Sequence, residues 1–273
     1  MKIVAIMGSP HKGNTLEKLQ QIERKLTQYD DVVFDYISLN DVDLQPCKGC
    51  FLCFIKGEER CPLQDDKVKL FQKIEEADGV IFASPVYSMH VSYLMKVFID
   101  RFSYTFHRPR YFGKYALTVA VAGNIGLKET LKYLRMVAKT WGFDWVGELG
   151  YTAAPKNTPM KTPSLKKDRT DEVVHKFYTA IKEKRPRKVT LSDNLTFRLM
   201  QSVYRRLETM SPYDYRYWKE KGWLEKDAVF FCDNIRRSRC KDAFARFLGW
   251  MMGRQMDKAF AKMENDQAIK GSS

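Results

Sequence analysis

Long hydrophobic runs are missing from this sequence. No segment holds about eighteen uninterrupted apolar residues, so no membrane-spanning helix is expected. The opening Lys2–Met7 is apolar, but it meets Gly8-Ser9-Pro10 too soon to serve as the hydrophobic region of a secretory signal. A cytoplasmic protein is the expectation. Histidine is scarce, at four residues in 273, and offers little. No Gly-Lys-Ser/Thr closes a Walker loop, and the dinucleotide signature Gly-x-Gly-x-x-Gly is absent. Nothing signals disorder, because 44% hydrophobic and 13% aromatic residues can supply a core.

What is present begins with charge. The net balance is +14, and residues 181–273 hold 21 basic against 12 acidic side chains. An anionic surface, an acidic redox partner or nucleic acid would suit that excess, and so would a solvated face. Lys and Arg are interleaved with Asp and Glu rather than gathered in blocks, so nucleic-acid binding rests on charge alone and is the weakest reading.

Apolar runs alternate with amphipathic ones through the first 150 or so residues. Strands are expected at Lys2–Met7, Val32–Leu39, Gly79–Ala83, Tyr115–Ala122 and Asp144–Tyr151. Helices are expected at Thr15–Leu26, from Asp65-Asp66 onward, at Val91–Phe102, at Lys128–Trp141 and at Asp171–Glu183. Crossovers of this length make a doubly wound α/β fold. Its parallel five-stranded sheet fits the flavodoxin-like order 2-1-3-4-5, with ligands beyond the carboxyl ends of the strands. Thr152–Thr170, with Pro155, Pro159 and Pro163, reads as a loop, and Lys184–Lys188 as a linker. Two domains follow, at 1–183 and 184–273. The second is a helical, aromatic-rich basic extension whose last helix carries a stripe from Phe244 to Met263. That stripe suits packing or oligomerisation, with docking on an anionic membrane the less favoured use.

Three segments fall directly after strands. Gly8-Ser9-Pro-His11-Lys12-Gly13-Asn14-Thr15 joins the first strand to the first helix, where glycine allows a tight turn and the helix N-terminus offers N–H donors to a phosphate. Ser84-Pro85-Val86-Tyr87-Ser88 would present a rigid edge to a flat heterocycle, with Tyr87 available to pack on it. Gly123-Asn124-Ile-Gly126 would let a planar ligand come close. Together the three are much stronger than any one.

Of six cysteines, four lie within fifteen residues: Cys47, Cys50, Cys53 and Cys61. Four thiolates can hold a [4Fe–4S] cluster. A zinc site of four thiolates and a metal-free cysteine loop stand beside that reading. Cys232 and Cys240 read as ordinary thiols.

Gly8-Ser-Pro-x-x-Gly-Asn-Thr, the cysteine block running into Pro62-Leu-x-Asp-Asp66, and Ser84-Pro-Val-Tyr leading to Lys96-x-x-x-Asp100-Arg101 occur in one order over residues 1–150. In this the chain resembles the NAD(P)H-dependent FMN reductase family, nearest to its iron–sulfur flavoprotein branch. The resemblance implies FMN with its phosphate at Ser9–Thr15 and its ring against Pro85–Tyr87 and Gly123–Gly126. It implies NAD(P)H as donor, a quinone, flavin, nitro or azo compound or protein as acceptor, and homodimers or homotetramers with flavin near a subunit interface. Ala122 and Asn124 depart from the richer Gly-Gly motif of the family's third loop. The second reading, a non-enzymatic flavodoxin-type electron carrier, sits poorly with the basic charge and the Gly-Ser-Pro loop. His90 and the His107–Arg110 stretch are weaker candidates, for substrate and for pyridine-nucleotide phosphates respectively. No protein nucleophile is needed, since a flavin carries its own electrons.

Overall fold

The structure is a computed structural model; it describes residues 1–153, 168–238 and 240–255. Pro155, Pro159 and Pro163, with most of the expected loop around them, lie outside the described residues, as do Met256, Phe260 and Met263. The chain divides into two compact units. The first is Met1–Cys50 with Pro62–Arg185, and the second is Phe51–Cys61 with Pro186–Ser273. The division therefore falls inside the cysteine loop.

In the first unit β1 (Lys2–Met7), α1 (Asn14–Leu26) and β2 (Val33–Ser38) come first. After the cysteine loop follow α3 (Lys67–Glu76), β3 (Gly79–Tyr87), β4 (His90–Val91), α4 (Tyr93–Arg101), β5 (Tyr115–Ala122), α5 (Leu127–Thr140), β6 (Asp144–Thr152) and α6 (Thr170–Lys182). The short α2 (Leu52–Ile55) belongs to the second unit. The sheet runs β2-β1-β3-β5-β6, all neighbours parallel. Counted among the parallel strands alone, that is the expected 2-1-3-4-5. The addition is β4, which pairs antiparallel with β3 through Val86–Val91 and Tyr87–His90.

Burial follows strand position. Every residue of β5 is buried and β1 nearly so, because helices cover both faces of the central strands, whereas edge strand β2 is mostly part-exposed. One face packs on α1 and α6 through Leu19, Ile22, Leu26, Val174 and Phe177. A second aromatic cluster surrounds the fully buried Trp141, with Phe98, Phe102 and Phe82 at centroid distances of 5.7, 5.8 and 5.9 Å.

The helix expected from Val91 starts two residues later. Val91 is taken into β4, and Ser92 caps α4 by accepting from the Met95 N–H at 3.2 Å. The helix expected at Asp65-Asp66 begins at Lys67, and Asp65 does more than start it. Its carboxylate pairs with Arg101 on α4, and both side chains are 1% exposed. Asp65 Oδ2 also accepts from the Gln45 N–H at 3.0 Å, while Arg101 donates to the Gln45 carbonyl at 2.7 Å. Asp66 and Asp43 exchange a further pair of bonds, at 2.9 and 3.2 Å. The two ends of the cysteine loop are thus held together at residues 43–45 and 65–66.

In the second unit α7 (Leu191–Tyr204), α8 (Pro212–Glu220) and a helix over 240–255, here α9, accompany a two-stranded parallel sheet of β7 (Arg187–Lys188) and β8 (Ile235–Arg236). The region is helical as expected, but residues read as linker form β7. Trp218 is fully buried, stacked on Tyr204 at 4.7 Å and edge-on to Trp223 at 5.1 Å. Helix α2 sits on α8, where the Ser211 hydroxyl donates to the Phe54 carbonyl at 3.2 Å.

The Asp65 carboxyl loses solvation by burial, yet the Arg101 guanidinium, with the Gln45 and Lys67 N–H groups, holds it below the usual carboxylate range. Stability from this pair is therefore present above the unfolded pKa and lost as pH falls through the folded one. Asp65→Ala leaves Arg101 buried without its partner and should cost about 3–5 kcal/mol in denaturant unfolding. It should also flatten the acid limb of stability below about pH 4. A loss under about 1 kcal/mol would mean the pair does not close the loop.

Candidate functional site

Strands β1, β3 and β5 are neighbours, and the loops leaving their carboxyl ends share one edge of the sheet. Met7 lies beside Ala83, and Pro85 beside Val121. Between β1 and its two neighbours, β2 and β3, the strand order reverses, which is where a ligand crevice opens in such sheets.

The first loop is built for an anion. Gly13 is the N-cap of α1 and supplies no side-chain cap of its own, and the positive end of the helix dipole lies at this turn. A Cβ on Gly13 would meet nothing within 4 Å, so the approach is open. Ser9, 6% exposed, donates to the His11 carbonyl at 2.7 Å and accepts from its N–H at 3.3 Å, which shapes the turn. His11 and Lys12 are exposed, Asn14 is part-buried and Thr15 is buried.

The second loop is a tight hairpin between β3 and β4. Ser88 and Met89, at φ +48° and +65°, both adopt the left-handed conformation that two-residue hairpin turns require, although neither is glycine. Strain of this kind collects at functional sites. Pro85 is buried, Val86 part-buried, and Tyr87 is 43% exposed at the rim.

Ser84 was read from the sequence as a ligand-facing residue; here it is fully buried. Its hydroxyl accepts from the Ser92 N–H at 3.0 Å and donates to the Pro85 carbonyl at 2.8 Å. Ser92, equally buried, donates its own hydroxyl proton to the Gly8 carbonyl. The Gly8 N–H in turn reaches the Ala83 carbonyl at 2.8 Å. This network fixes the first loop to the second. Sequence reasoning missed Ser92, which fell inside the helix expected from Val91 rather than at its cap.

The third loop closes on the second. Gly123 and Asn124 are exposed, and a Cβ on Gly123 would meet open space. Gly126 sits at φ +89°, and a Cβ there would lie 2.7 Å from both the Met89 Cα and the Val86 Cγ1. Only glycine lets the start of α5 approach the hairpin so closely. All three expected loops are therefore brought to one edge, presenting a helix N-terminus, open glycine approaches and an apolar rim. That combination fits a phosphorylated planar cofactor.

The chain matches the family model described as NADPH-dependent FMN reductase over residues 1–156. It belongs to that family. An iron–sulfur flavoprotein of Archaeoglobus fulgidus is 31% identical over 226 residues, covering 82% of this chain and all of the relative. One from Clostridioides difficile is 29% identical, covering 81% and 99%. A putative NAD(P)H-dependent FMN-containing oxidoreductase of Bacillus subtilis is 29% identical over 58% of this chain and 87% of its own length. Among solved structures RosB superposes with a TM-score of 0.51 at 15% identity, over 88% of this chain and 95% of that one, a likeness of fold alone. The chain is thus an FMN-dependent NAD(P)H oxidoreductase, with FMN as cofactor and a nicotinamide nucleotide as donor. Among the described residues no helix is long and apolar enough to cross a membrane.

None of the four cysteines of the block is in a disulfide. Cys47 and Cys50 are exposed in the first unit, and Cys53 and Cys61 are part-buried in the second. Gly49, at φ +64°, turns the chain between the first two. The donor set suits a cluster, although among the described residues no three Cys, His, Asp or Glu side chains converge as metal ligands. His90 packs on Tyr133 at 4.5 Å, and burial raises the Tyr133 phenol above its ordinary pKa. Arg108 is fully buried over the Tyr104 ring at 5.3 Å, which places its guanidinium in the core.

Gly126→Ala should separate the third loop from the hairpin. The expected result is at least about 1 kcal/mol lower stability and a clearly raised Kd for FMN, read by thermal unfolding and by flavin fluorescence titration. Unchanged flavin affinity would show that the contact does not shape the site.

Proposed function

We propose that the enzyme takes hydride from NAD(P)H onto FMN held in the three loops and passes electrons on to a quinone, free flavin, nitro or azo compound, or redox protein. The observation that carries this reading is the convergence of three glycine-bearing loops at the ends of adjacent strands β1, β3 and β5. In it the Ser9–Thr15 turn and the α1 N-terminus bind the FMN phosphate, the dipole and N–H groups replacing its water shell. Lys12 and His11 add positive character at the rim. Pro85, Val86 and Tyr87, with Gly123, Asn124 and Gly126, border the isoalloxazine and exclude water from one face. Buried Ser84 shapes that edge from behind, and exposed Ser88 borders the site at the tip of the hairpin. When bound, FMN itself supplies hydride acceptance and its release as single electrons or a pair.

We further propose that Cys47, Cys50, Cys53 and Cys61 hold a [4Fe–4S] cluster, which supplies one-electron transfer toward a protein acceptor. The four-thiol donor set within fifteen residues supports this, as do the names of the relatives from Archaeoglobus and Clostridioides. Large apolar side chains exposed at the same sheet edge support a homo-oligomer with flavin near the subunit interface: Met89 at 50%, Tyr93 at 62% and Ile125 at 63%.

The test is protein purified without oxygen, assayed for FMN, iron and acid-labile sulfide and then mixed with NADH or NADPH. One FMN per chain that bleaches with nicotinamide nucleotide is expected, with about four iron and four sulfide. Flavin without iron would remove the cluster and leave the reductase. A flavin that neither nucleotide reduces would remove the enzyme reading and favour a carrier.

A further inference from the structure

The second unit contains a cavity of about 580 Å³ between α7 and α9 that the flavin chemistry does not use. Its size falls in the range of small-molecule sites. Six cationic side chains line it: Arg198, Arg205, Arg206, Lys226, Arg246 and Arg254. Among the described residues no carboxylate lies in the wall. The floor is closely built. A Cβ on Gly249 would come within 2.7 Å of the Arg198 Cβ, and one on Gly253 within 3.0 Å of the Ser202 Oγ, so two glycines one turn apart let α9 lie against α7.

Backbone carbonyls and a hydroxyl help to orient three of the guanidinium groups, those of Arg198, Arg205 and Arg206. Arg205 donates from Nε to the Leu224 carbonyl at 2.9 Å and from a terminal nitrogen to the Glu225 carbonyl at 3.1 Å. Arg206 reaches the Ser202 hydroxyl at 2.9 Å and the Gly253 carbonyl at 3.1 Å. Arg198, 6% exposed, donates to the Ala228 carbonyl at 2.8 Å, while its buried Nε has no hydrogen-bond partner. At Arg205 the partners are carbonyls, which fix a guanidinium without cancelling its charge. One nearby carboxylate, Asp242, meets three arginines: Arg237 at 2.6 Å, Arg246 at 3.4 Å and Arg198 at 3.7 Å. Burial, and then the charge of Arg246, hold the Arg198 guanidinium below its ordinary range against the pull of Asp242. The like charges repel, and an anion of several charges would relieve that repulsion.

We propose that this cavity is a binding site for a small polyphosphate anion, either a free phosphate chain or the phosphate chain of a nucleotide. Fork-shaped guanidinium groups held from behind match phosphate oxygens bidentately, which a lysine-only surface does not do. Lys226 and Arg254 in the wall are exposed, which suits a phosphate chain that leaves one end in solvent. Trp250, 58% exposed in the wall with Arg254 5.1 Å above its ring, would flank such an end.

The experiment is calorimetric titration of the full chain, saturated with FMN so that the flavin site is filled, with tripolyphosphate, ATP and adenosine at fixed salt. One site per chain for tripolyphosphate and ATP, and none for adenosine, is expected. Comparable affinity for both anions would identify a free phosphate chain as sufficient ligand. ATP binding tenfold or more tighter would identify a nucleotide. Lys226→Gln with Arg254→Gln, both exposed positions, should weaken binding roughly tenfold or more with an unchanged circular dichroism spectrum and unchanged FMN content. Any one of three results would overturn the proposal: no saturable binding, full affinity in the double variant, or tighter binding of a single-stranded oligonucleotide than of tripolyphosphate. Because FMN content is measured on the same protein, failure here is separable from failure of the reductase reading.

Discussion

Two buried serine hydroxyls set the geometry of the flavin edge. Ser92 donates to the Gly8 carbonyl, accepts from the Met95 N–H and offers its own N–H to Ser84, whose hydroxyl passes on to the Pro85 carbonyl. The end of β1, the end of β3 and the start of α4 are therefore fixed by one network with both hydroxyls shielded from water. Losing a member would strand buried polar groups, a cost of about 1–3 kcal/mol each. Gly126 adds the third loop, pressed against Val86 and Met89 at a separation no larger residue permits. The crevice is held before any ligand arrives, so little binding energy is needed to order it.

A second constraint governs the cysteine loop. The buried Arg101–Asp65 pair, with Gln45 and the Asp43–Asp66 exchange, clamps both feet of a segment whose interior carries four thiols. A buried ion pair contributes little net stability over an apolar substitute, but it specifies which backbone segments meet. Here they are the two ends of the cysteine block and the helix that follows the hairpin.

Much of this was legible beforehand because its signals are local. Continuous apolar runs marked the buried strands, and glycines after strands marked the loops. Cys47, Cys50, Cys53 and Cys61 stood out by spacing, which by itself did not decide between a cluster, zinc and no metal. What escaped depended on partners far along the chain. Asp65 read as a helix-start acid, and its bond to Arg101 spans a separation that no pattern shows. Ser88 and Met89 form the hairpin without the Asn-Gly pair that would have announced it. Arg187–Lys188 looked like a basic linker because two-residue strands have no periodicity. The arginines of α7 and α9 were counted as scattered charge, and only folding gathers them around one cavity.

The central claim is that the α1 N-terminus and the Ser9–Thr15 turn bind the flavin through its phosphate. The most direct measurement compares FMN with riboflavin, identical but for that phosphate, in fluorescence titrations of flavin-free protein. One FMN per chain with riboflavin bound at least about a hundredfold more weakly, roughly 2.7 kcal/mol, is the predicted result. Equal affinity for the two flavins would contradict the account, because the phosphate would then lie outside the first loop.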